Sequence, residues 1–292
     1  MKKVSPKPQL QDESSHNWPQ INEEAHLEFF DIGVNLGDPQ MFKDDEERSM
    51  IIKRAKHHNV SNMILTTSDF RGLETNISLC ESNKLYTTIG CHPCSCMEIE
   101  NNSIFQNSDS YFNALRAKYE ENKKFIVAVG ECGLDYHPER EKFCGREIQK
   151  KYFEMQLELA KELELPMFLH CRGDEAYGDL IAIFSKVFPN YILHAPQAVV
   201  HSFSSSRSHL KQLLDFGFSI GINGLSFKTQ ETIDAIKEIP LERLLADSDS
   251  PYCQIRKSFE GFKHIKTVYP KSKSRTDPVK LYKGYNEPSN IM

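Results

Sequence analysis

The sequence predicts an α/β protein, a TIM-type (β/α)8 barrel that lacks its last helix. Three observations lead to this fold class. Eight short apolar runs alternate with amphipathic stretches, as strands and helices do in a parallel sheet covered on both faces. The 292 residues exceed the roughly 250 that such a barrel typically uses. Finally, candidate metal ligands stand where apolar runs end, and the carboxyl ends of barrel strands converge on one face.

The predicted strands and helices follow each other in a regular order. The apolar runs predicted to be strands are 28–34, 62–67, 86–90, 125–131, 166–170, 198–202, 218–222 and 244–248. The amphipathic stretches predicted to be helices are 44–58, 71–83, 109–122, 146–164, 174–187, 206–216 and 229–237. A doubly wound sheet is the weaker alternative, because eight alternating units favour closure into a barrel.

The two ends of the chain differ from this pattern. Residues 1–27 are polar, contain three prolines and show no hydrophobic period, which predicts a disordered leader before a barrel domain at 28–292. After Asp249 the chain is short and broken by prolines and glycines, so we predict no eighth helix and a C-terminally truncated barrel. An apolar patch over the first and last strands would then be exposed, unless the leader, a loop or a partner covers it.

The composition is that of an ordinary globular protein, with 39% hydrophobic and 26% charged residues. No apolar run is long enough to span a bilayer, and no apolar segment follows the first lysines as it would in a secretory signal. Eight cysteines, several of them on predicted strands, indicate reduced thiols. We therefore expect an intracellular protein, cytoplasmic or nuclear and not secreted.

Four possible metal ligands, Glu131, His170, His201 and Asp249, each close a predicted strand. Two imidazoles and two carboxylates brought to one face would make a mixed nitrogen and oxygen site for a divalent ion. One such residue alone could equally be a histidine of the core, a helix cap or half of a buried ion pair. Four of them, on different strands, favour the metal site.

Glu131 and Asp249 are also the candidate catalytic residues. Glu131 follows Gly130, which allows close backbone approach, and it could bridge two ions. An aspartate at the end of the last strand can take a proton from a metal-bound water. Asp247 is the alternative to Asp249, because the period-2 alternation of a strand sends both side chains to the same face.

His92 and Arg172 are candidate substrate-binding residues. His92 ends the third predicted strand, and we interpret it as a substrate contact or a support for the metal ligands. The cysteines in the segment 91–96 give only a weak zinc signal, since no second Cys/His pair follows at finger-like spacing. Arg172 follows His170 by two residues and could bind a phosphate through two parallel hydrogen bonds, while a carboxylate partner is an equal alternative.

Residues 253–285 form a basic and aromatic segment after the last strand. The segment holds nine Lys or Arg residues against two acidic ones, although the whole chain has a net charge of −5. A cationic and aromatic loop beside a metal face suits a polyanion whose bases can stack. The alternative is a solvated loop without a ligand.

Several ordered motifs resemble the TatD family of metal-dependent deoxyribonucleases, from about residue 28 to the C-terminus. These motifs are DIGVNL at 31–36, GCHP at 90–93, GECGLD at 130–135, LHCR at 169–172, VHSF at 200–203, DSP at 249–251 and NEP at 286–288. The resemblance implies a β/α barrel that hydrolyses DNA phosphodiester bonds with a divalent ion, often magnesium. It also implies metal binding by Glu131, His170, His201 and Asp249.

The chain departs from the wider family pattern on the first strand. Many barrel metallohydrolases of this superfamily carry His-x-His there, but these positions are Gly33 and Asn35 in this sequence. The site is then richer in oxygen, so we expect one or two divalent ions, with Mg²⁺ first and Mn²⁺ or Zn²⁺ as alternatives. Asn35 is expected to contact the substrate. A further departure is that Ser248 and Ser250 replace the commoner Thr and Ala around the last aspartate.

The function predicted from the sequence is hydrolysis of DNA phosphodiester bonds by a metal-activated water. DNA is the expected partner, with single-stranded DNA as one candidate form, and no membrane partner is expected. Two alternatives stay open. One is a metal-dependent hydrolase of small esters or amides on the same barrel, against which the basic loop argues. The other is a non-catalytic, truncated barrel.

Overall fold

The computed structural model describes residues 27–101, 104–189 and 197–291. Eight parallel strands in these ranges are hydrogen-bonded in sequence order. The strands are β1 (Phe29–Val34), β2 (Val60–Leu65), β3 (Tyr86–Ile89), β4 (Ile126–Asp135), β5 (Met167–Arg172), β6 (Ala198–Val200), β7 (Ser219–Ile222) and β8 (Leu244–Ala246). All eight strands predicted from the apolar runs are confirmed.

The segment after β8 returns to β1 and nearly closes the sheet. The backbone N–H of Asp249 donates to the carbonyl of Gly33 at 2.9 Å, and that of Asn35 donates to Ser250 at 2.7 Å. A parallel bridge also pairs Val34 with Ser250. The predicted barrel is therefore confirmed, and the carboxyl ends of its strands meet at one face.

Helices connect successive strands around the outside of the barrel. Those described are α1 (Asp45–His57), α2 (Phe70–Asn83), α3 (Met97–Asn101), α4 (Ser108–Asn122), α5 (Pro138–Glu141), α6 (Arg146–Leu163), α7 (Asp174–Val187), α8 (Arg207–Phe216) and α9 (Gln230–Ile236). Seven were predicted, and local signals explain their ends. Asp69, for example, caps α2 by accepting from the Gly72 N–H, and Gly217 ends α8 at a φ of 107°. The short α3 and α5 are too brief to show a hydrophobic period.

Apolar side chains form two clusters between the strands and the helices. The larger cluster follows β3 to β7 and includes Tyr152 and Phe153 of α6. The smaller one lies around β1, β2 and α1, and Tyr285 from the C-terminal segment belongs to it. None of the described helices is long and apolar enough to span a membrane.

The described residues after β8 contain no α-helix, in agreement with the sequence prediction. They form two 3₁₀ turns (Glu260–His264 and Pro288–Ile291) and two short paired strands, β9 (Lys271–Ser272) and β10 (Leu281–Tyr282). This C-terminal segment, 251–291, packs along α1 and covers part of the smaller cluster. Phe30 of β1 and Leu245 of β8 stay partly exposed, at 44% and 37%. The predicted leader lies outside the described residues except for Leu27.

One buried ion pair fixes the C-terminal segment to α1. The guanidinium of Arg54 donates to both carboxylate oxygens of Glu287, at 2.8 and 3.1 Å, and both side chains are fully buried. Near the other end of α1, Glu47 accepts from Tyr285 at 2.7 Å and from Arg275 at 3.2 Å. The segment after β8 therefore occupies one side of the first helix.

Candidate metal centre and active-site pocket

A cavity of about 420 Å³ opens where the strand ends meet. Every site residue predicted from the sequence lines it: Asn35, His92, Glu131, His170, Arg172, His201 and Asp249. The closed strand order brings these residues together from six strands, because each lies in or just after the carboxyl-terminal half of a strand that ends at the same face.

Glu131 is the centre of the site. Its Oε1 atom lies 2.7 Å from His170 Nδ1, 2.8 Å from His201 Nε2 and 3.5 Å from His92 Nε2. The Glu131 carboxylate is 4% exposed, so a single oxygen atom faces three imidazoles in a nearly dry environment. Nitrogen and carboxylate donors in this proportion are those of divalent metal sites.

Glycines allow β4 to bring Glu131 so close to the histidine on the next strand. A Cβ atom on Gly130 would stand 2.3 Å from the carbonyl oxygen of Phe168, and one on Gly133 would stand 2.0 Å from that of His170. Both glycines also have positive φ angles, 153° and 142°. Any larger residue at either position would push β4 away from β5.

The electrostatics of the cluster follow from the buried carboxylate. Burial alone would raise the pKa of Glu131, but the charge of His201 and hydrogen bonds from His170 and His201 hold it well below its usual range. Burial would likewise lower the pKa of His170 and His201, yet their carboxylate neighbours raise both. Both imidazoles therefore stand where a divalent cation would satisfy the same carboxylate.

His92 differs from the other two histidines. Its Nδ1 atom accepts a hydrogen bond from the backbone N–H of Cys94 at 3.0 Å, so a neutral ring carries its proton on Nε2. Burial, together with the charges of His170 and His201, lowers the pKa of His92 to about 4. His92 is therefore a neutral donor that directs an N–H toward Glu131 and the cavity. One ligand atom each of His92, Glu131 and His170 lie within 4.8 Å of one another.

Asp249 and Asp247 have different positions, which the sequence could not distinguish. Asp249 lines the cavity, where its Oδ1 accepts from Asn35 Nδ2 at 2.7 Å and its Oδ2 from the thiol of Cys253 at 2.8 Å. Asp247 lies deeper, 3.7 Å from His201 Nδ1 and hydrogen-bonded to Asn223. Burial, with the charges of Glu131 and Asp247, raises the pKa of Asp249 to about 6.

Comparison with known proteins agrees with this geometry. A family profile described as TatD related DNase matches residues 30–287. The chain belongs to the TatD family. Deoxyribonuclease Tat-D of Schizosaccharomyces pombe is 34% identical over 277 residues, which cover 90% of this chain and 86% of that protein. A 3'-5' ssDNA/RNA exonuclease TatD of Pantoea ananatis is 36% identical over 229 residues, covering 76% and 79%.

A solved TatD structure has the same fold. The crystal structure of a hydrolase TatD family protein from Entamoeba histolytica matches this chain with a TM-score of 0.79 at 30% identity, covering 90% of this chain and 88% of that one. The resemblance read from the motifs, the TIM-type barrel and the assignment to the ester-bond hydrolases are therefore confirmed.

Asp135 is a residue at this site that the sequence prediction did not select. It ends β4, is 2% exposed, and its Oδ2 lies 3.2 Å from His170 Nε2 and 4.0 Å from the guanidinium of Arg172. His170 is thus held between two carboxylates, Glu131 and Asp135. The available signal was the extended apolar stretch of β4, which continues for four residues past Glu131.

Two glutamines of α6 hold the strand ends on which the site is built. Gln149 accepts from the Asp135 N–H at 2.7 Å and donates to the Asp135 carbonyl at 3.0 Å. Gln156 likewise accepts from the backbone N–H of Cys91, the residue before His92, at 2.6 Å and donates to the Cys91 carbonyl at 3.1 Å. Both glutamines are buried, so they provide hydrogen-bond partners for backbone N–H and C=O groups that water cannot reach. No motif indicated them, because their role depends on the packing of α6.

The basic segment of this chain is divided between two places. Its first residue, Cys253, lines the cavity, and the backbone N–H of Glu260 donates to the carbonyl of Lys228 in the loop before α9. Beyond them, Tyr269 stacks on His58, and Arg275 contacts Glu47 and the ring of Tyr282. The second half of the basic segment therefore packs against α1, and of residues 253–285 only Cys253 lines the cavity.

Proposed function

We propose that this TatD family chain is a metal-dependent deoxyribonuclease, which hydrolyses DNA phosphodiester bonds with a water molecule as nucleophile. The observation that carries the proposal is the buried Glu131 oxygen with imidazoles at 2.7 and 2.8 Å, opposite Asp249 in one cavity. The names of the relatives from Schizosaccharomyces pombe and Pantoea ananatis give the substrate class, DNA, and make single-stranded DNA the first form to test.

Glu131, His170, His201 and Asp249 are the residues that we propose as metal ligands. The donor set fits a divalent ion, since two imidazole nitrogens lie 2.7 and 2.8 Å from one oxygen of a buried carboxylate. We propose one or two ions, with Mg²⁺ before Mn²⁺ or Zn²⁺, because Gly33 and Asn35 supply no imidazole on β1. A bound ion would polarise a phosphoryl oxygen and make a water molecule more acidic.

Asp249 is the proposed general base. Its pKa of about 6 leaves it ionised at neutral pH, yet basic enough to take a proton from the attacking water. The amide of Asn35 donates to Asp249 and accepts from Thr66 at 2.5 Å, so both of its polar ends are engaged. We therefore assign Asn35 to orienting Asp249, in place of the substrate contact expected from the sequence.

Three side chains at the mouth of the cavity are proposed to hold phosphates. Arg172 has a half-exposed guanidinium whose nearest carboxylate is 4.0 Å away, and Arg140 lines the same cavity. His92 would donate its Nε2–H to a phosphate oxygen. Tyr252, which is 43% exposed beside them, offers a ring on which a base can stack.

The test is degradation of a labelled single-stranded DNA with Mg²⁺, Mn²⁺ or EDTA. Wild type should cut in either metal and not in EDTA, while Glu131→Ala should not cut at all. Glu158→Ala, an exposed glutamate of α6, is the matched control and should keep wild-type activity. Cleavage by Glu131→Ala at the wild-type rate would remove Glu131 from the mechanism.

An intracellular location, in the cytoplasm or the nucleus, is part of the proposal. All eight cysteines are free thiols, which suits a reducing compartment. Fractionation of cells that express the tagged chain would test this, and recovery from the medium would contradict it.

A further inference from the structure

Three cysteines line the cavity, Cys94, Cys171 and Cys253, and the thiols of Cys94 and Cys253 each lie beside a carboxylate of the site. The Sγ atom of Cys253 is 2.8 Å from Asp249 Oδ2, and that of Cys94 is 3.9 Å from Asp135 Oδ2. The function proposed above uses neither thiol. The other six cysteines are buried, and of these only Cys171 also lines the cavity.

The backbone holds Cys253 in place at the cavity. Cys253 adopts a left-handed conformation with a φ of 54°. Its carbonyl oxygen packs against Gly224, where a Cβ atom would come within 1.8 Å of that oxygen. The backbone N–H of Tyr252, the preceding residue, donates to Asp249 at 2.8 Å. The segment from 249 to 253 is therefore a tight turn whose two functional side chains meet in the cavity.

We infer that Cys253 is an additional ligand at this metal centre for thiophilic divalent ions such as Zn²⁺, Cd²⁺ and Co²⁺, which it would share with Asp249. The inference rests on the proposed metal centre and deepens it. Soft thiolate ligands select such ions, while Mg²⁺ takes hard oxygen ligands, so the thiol would stay protonated when Mg²⁺ is bound. On binding, the S–H bond breaks, a sulfur–metal bond forms, and the proton leaves to solvent.

The position of Cys253 gives this ligand a consequence for catalysis. The thiol now donates its hydrogen to Asp249 Oδ2, the carboxylate proposed as general base. An ion bound between sulfur and that carboxylate would occupy the oxygen that must accept the proton of water. Ions held by the thiolate would therefore bind tightly and support hydrolysis poorly, which places Zn²⁺ behind Mg²⁺ as the catalytic ion. The chain would distinguish soft from hard ions through one residue of the turn after β8.

Cys94 is the matched comparison. It also lines the cavity, but its thiol is more than 1 Å farther from its carboxylate, at 3.9 against 2.8 Å. Asp135 is also already engaged by His170 at 3.2 Å and by the backbone N–H of His137 at 3.0 Å. A ligand role is therefore assigned to Cys253 and not to Cys94.

The experiment is a Co²⁺ titration of the full chain followed by absorption, with Cys253→Ser and Cys94→Ser alongside. A thiolate bound to Co²⁺ gives a near-ultraviolet charge-transfer band, which should appear in wild type and Cys94→Ser and be absent in Cys253→Ser. Calorimetry should show Cd²⁺ affinity lowered by about tenfold or more in Cys253→Ser, the scale of losses on changing groups around a metal. Cys253→Ala serves if the serine variant melts early.

A band that persists in both Cys253 variants, or that disappears in Cys94→Ser, would overturn the inference. The readout needs no DNA, so the two proposals fail separately. A chain that shows the Cys253-dependent band but cuts no DNA would support this inference and contradict the proposed function. A chain that cuts DNA with Mg²⁺ and shows no such band would contradict the inference alone.

Discussion

His201 Nε2 lies 2.8 Å from Glu131 Oε1, although His201 follows β6 and Glu131 belongs to β4, two strands that are not neighbours in the sheet. Because that oxygen also faces His170, loss of the Glu131 charge removes the common partner of two imidazoles. We expect Glu131→Gln to lower Mg²⁺ affinity by at least about 100-fold and to abolish DNA cleavage. Calorimetry and the nuclease assay measure the two effects, with Glu158→Gln as control. Unchanged Mg²⁺ affinity would contradict the ligand role.

The stability of the metal-free chain should fall as the pH rises from 6.5 to 8. Because the folded state raises the pKa of His170 and of His201, protonation of these residues stabilises the fold. This stabilisation is complete below pH 6.5, the ordinary pKa of histidine, and is lost as the pH rises through the raised pKa values. Asp31, whose pKa burial raises to about 8, acts in the same direction. Urea unfolding in EDTA measures the slope, which Asp31→Asn should reduce. A free energy of unfolding that does not change between pH 6.5 and 8 would contradict these pKa shifts.

Metal should compete with the same protons. A metal ion binds the neutral form of an imidazole, so protonated His170 and His201 must each lose a proton first. The affinity for Mg²⁺ or Mn²⁺ should therefore rise with pH, and binding should release protons. Calorimetry at pH 7 in two buffers of different ionisation enthalpy counts these protons. An ion present at 100 times its Kd should also stabilise the fold by about 2.7 kcal/mol. A broad, metal-insensitive melt would favour a non-catalytic barrel.

The ion pair between Arg54 and Glu287 should be essential for stability. Glu287→Ala leaves a buried guanidinium without its partner, which we expect to destabilise the chain by about 3–5 kcal/mol. The exposed pair of Arg116 and Glu162 is the matched control, and Glu162→Ala should cost about 0–1 kcal/mol. Chemical denaturation measures both. Similar losses in the two variants would mean that burial does not set the strength of the pair.

Salt dependence should separate DNA from a small ester or amide substrate. Phosphate contacts release counterions, so the logarithm of the DNA affinity should fall linearly with the logarithm of salt concentration. Arg172→Ala should reduce that slope by about 0.7 for single-stranded DNA, while Arg116→Ala should not change it. Fluorescence anisotropy with an uncleaved DNA measures the slopes. A salt-independent interaction would favour the small-substrate alternative.

The sequence predicted the fold well because each barrel unit carries its own local signal. Apolar runs and amphipathic stretches locate strands and helices without knowledge of the rest of the chain. The seven predicted site residues meet in one cavity for the same reason, since each follows a strand that ends at the same face. Metal binding and catalysis by these residues stay predictions.

Long-range relationships could not be read in this way. The choice between Asp247 and Asp249 depends on depth within the barrel, and period-2 alternation carries no information about depth. Asn35 donates to Asp249 across 214 positions of sequence, a pairing that no local pattern contains. The basic segment has no hydrophobic period, so its path along α1, with Tyr269 on His58, could not be predicted.

The packing of the C-terminal segment against α1 also affects the order in which the chain can fold during its synthesis. Arg54 is synthesised early, and its partner Glu287 comes 233 residues later. On the ribosome, α1 must wait until Glu287 has emerged before its cationic side chain can be enclosed. The nascent barrel would spend that time open between its first and last strands, so we expect chaperones that shield apolar surface to bind it during translation.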